Sequence, residues 1–172
     1  LALITPTLER LAQEHPGLEI EVIEADAAET LPALRIGELD LVCEDEYDPA
    51  AITDPALHRE GVLTDRLRLV LPRDDPLAAA ETVRLADLSD RPWASGRVDD
   101  QYSAAVDRTC RERGGFAPRV LHRASDLMLL LSLVRVGRAV ALLPDLLGAD
   151  RDERVAVRSI VGGDVTRTIY TL

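Results

Sequence analysis

The chain has 172 residues, of which 47% are hydrophobic and 30% charged, the balance of a folded globular protein with a sizeable core. Its 31 acidic and 20 basic residues give a net charge of −11, which argues against direct contact with DNA, because nucleic-acid binding relies on basic residues that displace phosphate counterions. The longest apolar stretch, residues 127–136, is too short to span a bilayer, and residues 1–13 lack the layout of a secretory signal. We therefore expect a cytoplasmic chain.

The first part of the chain predicts two helices and two strands. Apolar residues recur at helical spacing until Pro16-Gly17, and the next residues alternate apolar and acidic side chains. Pro32 disfavours a helix interior, so the second helix would instead begin near Thr30. The predicted elements are a helix over residues 1–15, a strand over 18–22, a helix over 26–39 and a strand over 40–43.

The rest of the chain continues to alternate strands and helices. An acidic loop at 44–55 precedes strands over 57–63 and 66–72, which are joined by Thr64-Asp65. The segment over 73–90 then crosses to a second group of elements. These are a strand over 93–95, a helix over 102–113, a strand over 119–124, a helix over 126–136, and strands over 139–143, 154–160 and 165–170. Ser125 is the predicted N-cap of the helix over 126–136, and Gly137 its terminator. The alternation predicts an α/β fold with mostly parallel sheets flanked by helices, in two lobes with a ligand cleft between them.

The sequence contains no established catalytic or metal-binding motif. His15, His58 and His122 are far apart, Ser95-Gly96 lacks the GxSxG context, and the acidic residues 44–48 lack EF-hand spacing. We therefore predict no catalytic residue, no metal site, no cofactor and no enzyme activity. Cys43 and Cys110 lie in different predicted elements, and we predict two buried free thiols.

Five passages, in this order, resemble the effector-binding domain of bacterial LysR-type transcriptional regulators over nearly the whole chain. They are Pro6 with LERL at 8–11 and HPGL at 15–18, LRIGELDL at 34–41, LVLPRDDPL at 69–77, LADL at 85–88 and VRVGRAVALLP at 134–144. The resemblance implies a type 2 periplasmic-binding-protein-like fold, with residues 1–73 plus 145–172 in lobe I and 74–144 in lobe II. It also implies that a winged helix-turn-helix and the first strand of lobe I precede Leu1.

The resemblance places effector-binding residues at turns that face the cleft. These implied residues are Asp26, Ala27, Ala28, Ser95, Gly96, Arg97, Ser125, Asp126, Leu143 and Pro144. Helix N-termini attract carboxylates, and Arg97 would add a bidentate clamp or remain a solvent-facing charge. If Asp26 and Asp126 satisfy those helix ends themselves, the cleft favours a neutral or cationic effector. Ser125 would serve as an N-cap, a ligand contact or both.

The function implied by the resemblance is the sensing of a small molecule, either a small organic acid or an amino-acid-like compound. Its binding in the cleft would change the geometry of a homodimer or homotetramer and so change transcription, with DNA contacted only through the preceding domain. The helices near 30–38 and 102–113 would pair between subunits. The alternative is a secreted solute-binding receptor of the same fold.

Overall fold

The computed structural model describes residues 3–48 and 55–172. The chain divides into two compact units, Leu1–Val42 with Leu172 and Cys43–Thr171. Part of the predicted acidic loop, residues 49–54, lies outside the described residues. The lobe boundaries implied by the resemblance stay a prediction.

The first unit contains helices α1 (Ile4–Glu14) and α2 (Ala27–Arg35). Pro32 lies inside α2, so the prediction of a later start near Thr30 is wrong. The helix begins one turn earlier because the Asp26 carbonyl accepts hydrogen bonds from Glu29 and Thr30, at 2.8 and 3.0 Å. Gly37, with φ of +76°, then ends the helix in the left-handed conformation that favours glycine.

The strand predicted over residues 18–22 is absent from the described part of the first unit. This segment forms no regular secondary structure, and Leu18 and Val22 are 55% and 57% exposed. Alternation of apolar and polar residues produces a strand only when a neighbouring strand pairs with its backbone, and none of the described strands does so. The prediction was therefore wrong for this segment.

The second unit is built on a large sheet and a smaller one. The strands are β1 (Cys43–Glu46), β2 (Glu60–Pro72), β3 (Thr82–Val83), β4 (Pro92–Ser95), β5 (Arg119–Arg123), β6 (Ala141–Pro144), β7 (Val155–Ile160) and β8 (Val165–Thr171). The large sheet has the order β1-β8-β2-β7-β3, with β6 also on β2, and β4 pairs with β5. Among the described strands, only β3–β7 and β4–β5 form parallel ladders. The prediction of mostly parallel sheets was wrong, because β6, β7 and β8 all run antiparallel to the long strand β2.

Strand β2 runs without the predicted turn at Thr64-Asp65. Asp65 is buried, and its carboxylate accepts hydrogen bonds from Arg167 and from the Leu146 N–H, so a residue typical of turns is held inside a strand instead. Strand β1 likewise begins at Cys43, where the predicted strand over 40–43 was to end. Its acidic residues pair with partners on neighbouring segments, since Tyr170 donates to Glu44.

Helices cover the sheets of the second unit. They are α3 (Gln101–Thr109), which continues as a π-helical turn over Cys110–Gly114, and α4 (Leu127–Arg135), with short 3-10 turns at Pro76–Ala79, Leu85–Leu88, Asp145–Leu147 and Ala149–Arg151. Gly137 ends α4, as predicted, and Gly115 ends the π-helical turn after α3; both residues have the left-handed conformation. Trp93, Leu142 and other apolar side chains form the core between these layers. The burial of these apolar side chains away from water stabilises the second unit.

Both cysteines are free, but only Cys110 is buried. Its thiol lies in the apolar core, and burial, followed by the charge of Asp107, raises its pKa to about 12. A thiol held protonated in this way is a packing group, not a reactive nucleophile. Cys43 is exposed, so the prediction of two buried thiols was wrong for that residue.

Asp152 joins the end of α4 to the segment before β7. Its carboxylate accepts a hydrogen bond from the Arg154 N–H at 3.0 Å and pairs with Arg135. The Arg154 N–H holds the pKa of this carboxyl below its usual range, against an opposing effect of burial, and Arg135 lowers it further. A carboxyl whose pKa is lower in the folded chain stabilises the fold above its ordinary pKa of about 4, and that contribution is lost as the pH falls through the folded value.

We expect Asp152→Asn to lower the free energy of unfolding by roughly 1 kcal/mol at about pH 6, because the neutral amide oxygen accepts more weakly from the Arg154 N–H and no longer forms an ion pair with Arg135. The difference from the unmodified chain should shrink as the pH falls below about 4 and through the lowered pKa of the folded chain, because the carboxyl then becomes protonated in both states. Urea unfolding of both chains at about pH 6 and at a pH below that lowered pKa measures this difference in the free energy of unfolding. An equal loss at both would show that the charge of Asp152 does not contribute.

Candidate functional site

The ends of β4 and β5 lie side by side in the second unit. The two strands are parallel, Ser95 is opposite Arg123, and the Ala124 N–H donates to the Ser95 carbonyl at 3.1 Å. Because parallel strands end at the same edge of their sheet, the loops that lead into α3 and α4 both leave from this edge. The predicted residues Ser95, Gly96, Ser125 and Asp126 are thereby brought together.

Strand β6 adds a third strand end to this edge. The Val140 N–H donates to Pro92 and the Val140 carbonyl accepts from Ala94, each at 2.9 Å, so the chain enters β6 beside β4. Leu143 and Pro144 end β6 and are buried. Tyr102, in the first turn of α3, donates its hydroxyl to the Leu142 carbonyl at 2.6 Å. We call this region, the ends of β4, β5 and β6 with the starts of α3 and α4, the β4–β6 edge.

Ser95 carries the most informative atom of the β4–β6 edge. Its side chain is fully buried, and its Oγ forms a hydrogen bond with none of the described residues. A buried hydroxyl without a partner costs about 1 to 3 kcal/mol, so such atoms are rare in folded proteins unless they serve another purpose. The loop that follows Ser95 also holds Asp99 at φ of +71°, in a region that side-chain-bearing residues rarely adopt.

Gly96 allows the loop after β4 to approach the start of α3. A Cβ atom at Gly96 would overlap the carboxylate of Asp100. Arg123 donates hydrogen bonds from Nη1 to the Gly96 carbonyl and to the Ser103 Oγ, each at 3.1 Å, and so fastens β5 to this loop and to α3. Arg97 is exposed in the same loop.

Aspartates occupy the N-termini of both helices at this edge. The Asp126 carboxylate accepts from the Met128 N–H at 2.8 Å, and the Asp100 carboxylate accepts from the Ser103 N–H. The N-cap of α4 is therefore Asp126, and the prediction of Ser125 in that role is wrong. A helix begins where a side-chain oxygen reaches its free N–H groups, and the carboxylate one residue later does this here. Ser125 is exposed.

Sequence reasoning missed three residues of the β4–β6 edge, Asp100, Tyr102 and Arg123. Asp100 carried a signal, since aspartate directly before a helical pattern is a preferred N-cap. Arg123 and Tyr102 act through partners distant in sequence, which spacing does not reveal. Burial, with the charge of Asp100 adding to it, raises the pKa of Tyr102, so its hydroxyl stays a donor.

The other predicted residues lie in the first unit. Asp26 is the N-cap residue of α2, although its side chain makes no capping hydrogen bond, and Ala27 and Ala28 begin the helix. Their role as effector-binding residues stays a prediction.

The described residues contain no group of three or more His, Cys, Asp or Glu side chains placed to hold a metal ion. No helix in residues 3–48 and 55–172 is long and apolar enough to cross a membrane.

Comparison with solved structures identifies the fold. The C-terminal domain of a probable LysR family transcriptional regulator from Rhodococcus sp. RHA1 superposes with a TM-score of 0.82 at 24% identity, over 98% of this chain and 82% of that one. The BenM effector binding domain, solved with its effector benzoate, gives a TM-score of 0.78 at 22% identity, over 98% of this chain and 76% of that one. The predicted type 2 periplasmic-binding-protein-like α/β fold is confirmed.

Curated relatives agree with the structural neighbours. The small neutral protease regulatory protein of Streptomyces coelicolor is 36% identical over 129 residues, which are 73% of this chain and 38% of that protein. The HTH-type transcriptional regulator MetR of Escherichia coli is 30% identical over 146 residues, 82% of this chain and 43% of that protein. The chain thus spans less than half the length of these relatives. The family model of the LysR substrate binding domain matches residues 1–172. The chain belongs to the LysR substrate binding domain family.

Proposed function

We propose that this chain is the effector-sensing domain of a LysR-type transcriptional regulator and that a small molecule binds at the β4–β6 edge. Membership of the family and the effector-bound structure of a fold relative support the sensing role. The observation that carries the site is the buried, unpartnered Oγ of Ser95, where three strand ends and two helix starts meet.

The burial of Ser95 couples binding to a change of conformation. Its Oγ is closed off from solvent, so a ligand reaches it only when a neighbouring segment moves. We propose that this segment is the loop at residues 96–100, which follows Ser95 directly. The hydrogen bond is then gained in the bound arrangement and is absent from the unbound one. A ligand shifts an equilibrium only by such a difference in affinity between two states, and this is the property that a sensor requires.

The two aspartate caps define the chemical class of the effector. Asp100 and Asp126 already accept hydrogen bonds from the helix N-termini that would otherwise attract a carboxylate. The effector is therefore a neutral or cationic polar compound, or an amino-acid-like one with an ammonium group, in preference to a simple organic acid. Arg97, Leu143, Pro144 and Ser125 complete this wall of the site, and Asp26, Ala27 and Ala28 of the first unit are further proposed effector-binding residues.

Ser95→Ala tests the site directly. A thermal-shift screen of amino acids, small amines and organic acids against the unmodified chain first identifies the effector, since a ligand at a hundred times its Kd adds about 2.7 kcal/mol of stability. Removal of one hydroxyl hydrogen bond of about 0.5 to 1.5 kcal/mol should then weaken binding by roughly 2- to 12-fold in a calorimetric titration. Stability without ligand should not fall, because the lost hydroxyl has no described partner.

Ser132→Ala is the matched control. Its hydroxyl already donates to the Met128 carbonyl within α4 at 2.8 Å, away from the strand ends. The affinity for the effector should stay unchanged in this variant. Equal affinities of the Ser95→Ala variant and the unmodified chain would refute the assignment of the site.

The regulatory role belongs to the whole protein. We propose that it is bacterial and cytoplasmic, that a preceding winged helix-turn-helix contacts DNA, and that homodimers or homotetramers change geometry when the effector binds. The curated relatives are regulatory proteins, and the net charge of −11 favours DNA contact outside this chain. In this account the chain catalyses no reaction and requires no cofactor. A gel-shift titration of the full-length protein should show that the effector changes operator affinity, whereas a secreted receptor of the same fold would show no operator binding.

A further inference from the structure

A cavity lies along one side of α4. Its volume is about 620 Å³, within the range of about 300 to 1,000 Å³ that is usual for small-molecule sites. One wall is α4 itself, and the other is the segment from Leu147 to Arg154, which leads into β7. Among the described residues, those that line the cavity include none of the proposed effector-binding residues, so a ligand here would occupy a different site.

The cavity offers apolar surface along the helix. Met128 is 42% exposed and Leu147 is half-buried, and both line the cavity together with Leu131. Met128 and Arg135 lie at the two ends of this wall, about 10 Å apart along the helix axis at about 1.5 Å a residue. An extended chain of about eight carbons has a similar length, since each C–C bond measures about 1.5 Å. The apolar surface therefore suits an aliphatic chain of that size.

Part of the charge around the cavity is already paired. Asp152 accepts a hydrogen bond from the Arg154 N–H at 3.0 Å, pairs with Arg135, and lies 3.5 Å from Arg154 Nε through its Oδ1. The charges of Arg135 and Asp152 are thereby committed to each other. The Arg154 side chain remains 68% exposed, so its guanidinium still adds positive charge to the cavity.

Arg151 is the lining cation that a ligand can engage. Its side chain is exposed and forms neither an ion pair nor a hydrogen bond with any of the described residues. Its Cδ lies 3.9 Å from the position that a Cβ on Gly148 would take, so the stem of Arg151 lies beside another residue of the wall. Glu153 is likewise exposed, and its charge opposes an anion there. Arg151 and Arg154 together outnumber Glu153, which leaves a local excess of positive charge on a chain whose net charge is −11.

We propose that this cavity binds an aliphatic carboxylate of about eight carbons, whose carboxylate pairs with Arg151 and whose chain lies on Met128 and Leu147. A guanidinium can hold both oxygens of a carboxylate at once, which favours this acid over a neutral compound of the same length. Each methylene that leaves water on this surface strengthens binding by up to about fourfold. The ligand therefore needs both parts, because an amine of that length has the wrong charge for Arg151 and acetate lacks the chain.

Calorimetric titration of the 172-residue chain with octanoate, octylamine and acetate tests the proposal. Saturable binding of one equivalent of octanoate is expected at millimolar concentration. Octylamine and acetate should not saturate the chain at the same concentrations. Thermal unfolding confirms that each variant below is folded before it is titrated.

Two variants at the charged end of the cavity should change the affinity for octanoate in opposite directions. Arg151→Gln removes the proposed partner and should weaken binding about fivefold, the upper end for an exposed ion pair. Glu153→Gln removes the opposing charge and should tighten binding about twofold. Arg138→Gln is the matched control, because Arg138 is exposed and lies outside the cavity wall, and it should leave the affinity unchanged.

Met128→Ala tests the apolar part of the cavity. It should weaken octanoate binding about fourfold, equivalent to the lost burial of about one methylene. Leu129→Ala is its control, because Leu129 is 50% exposed on the same helix but lies outside the cavity wall. Ser95→Ala should leave octanoate binding unchanged. The proposal is overturned if octanoate does not saturate the chain at millimolar concentration, if octylamine binds as tightly, if Arg151→Gln and Arg138→Gln have equal affinities, or if Ser95→Ala weakens binding as much as Arg151→Gln does.

Discussion

Replacement of Asp65 by alanine should lower the free energy of unfolding by about 3 kcal/mol, the low end of the usual cost of breaking a buried ion pair, because Arg167 keeps a second carboxylate partner. Asp65 is 4% exposed and accepts hydrogen bonds from Arg167 Nε and Nη2, at 3.0 and 2.8 Å. When Asp65 is removed, Arg167 loses one of its two carboxylate partners and retains Asp45, at 2.6 Å. The variant also leaves the Leu146 N–H without its acceptor, because that group donates to Asp65 Oδ1.

Urea unfolding of the 172-residue chain measures this loss. Asp107→Ala is the control, since Asp107 pairs with Arg111 one turn later on the exposed surface, where such a pair contributes little to stability. A loss of under about 1 kcal/mol for Asp65→Ala would mean that the Asp65–Arg167 pair does not hold β2 and β8 together.

Replacement of Gly96 by alanine should weaken effector binding by about tenfold or more, equivalent to about 1.4 kcal/mol. The added Cβ overlaps the Asp100 carboxylate, which must then release the Ser103 N–H that it caps. Loss of an N-cap costs about 1 kcal/mol of stability, and the shifted loop also moves the neighbour of Ser95. Calorimetric titration with the effector and urea unfolding measure the two effects.

Two comparisons make the Gly96 prediction specific. Gly61→Ala is the matched control, because a Cβ at Gly61 meets no atom within 4 Å. In an Asp100→Ala background the overlap is gone, so Gly96→Ala should cost little further stability, and the two changes should be clearly non-additive. Additive losses would show that the contact with Asp100 is not the reason for glycine at this position.

The sequence predicts the order of elements well and their pairing poorly. Helices α3 and α4 follow from apolar spacing, and the end of α4 follows from the preference of glycine for positive φ at Gly137. The segment at 18–22 has the same alternation as a strand, yet pairing depends on a neighbour that spacing does not specify. Asp65 was predicted to turn the chain, and only its long-range partner Arg167 explains why it lies inside β2.

For the candidate site too, the sequence predicts some of the residues but not how they pack. Ser95 and Gly96 were found through the resemblance, and their place at the end of a parallel strand made them plausible ligand contacts. The buried state of the Ser95 hydroxyl and the capping by Asp100 depend on how α3 and β5 pack, which no local pattern reveals. The choice between an anionic and a cationic effector likewise depended on which residue caps α4, and Asp126, not Ser125, does so.

A crystal structure of the chain with the strongest stabilising compound from the thermal-shift screen tests the central claim most directly. We expect a polar atom of that compound within about 3 Å of Ser95 Oγ, with the loop at residues 96–100 displaced from its unbound position. A compound bound elsewhere, with Ser95 Oγ still buried and without a partner, would contradict the assignment of the effector site to the β4–β6 edge.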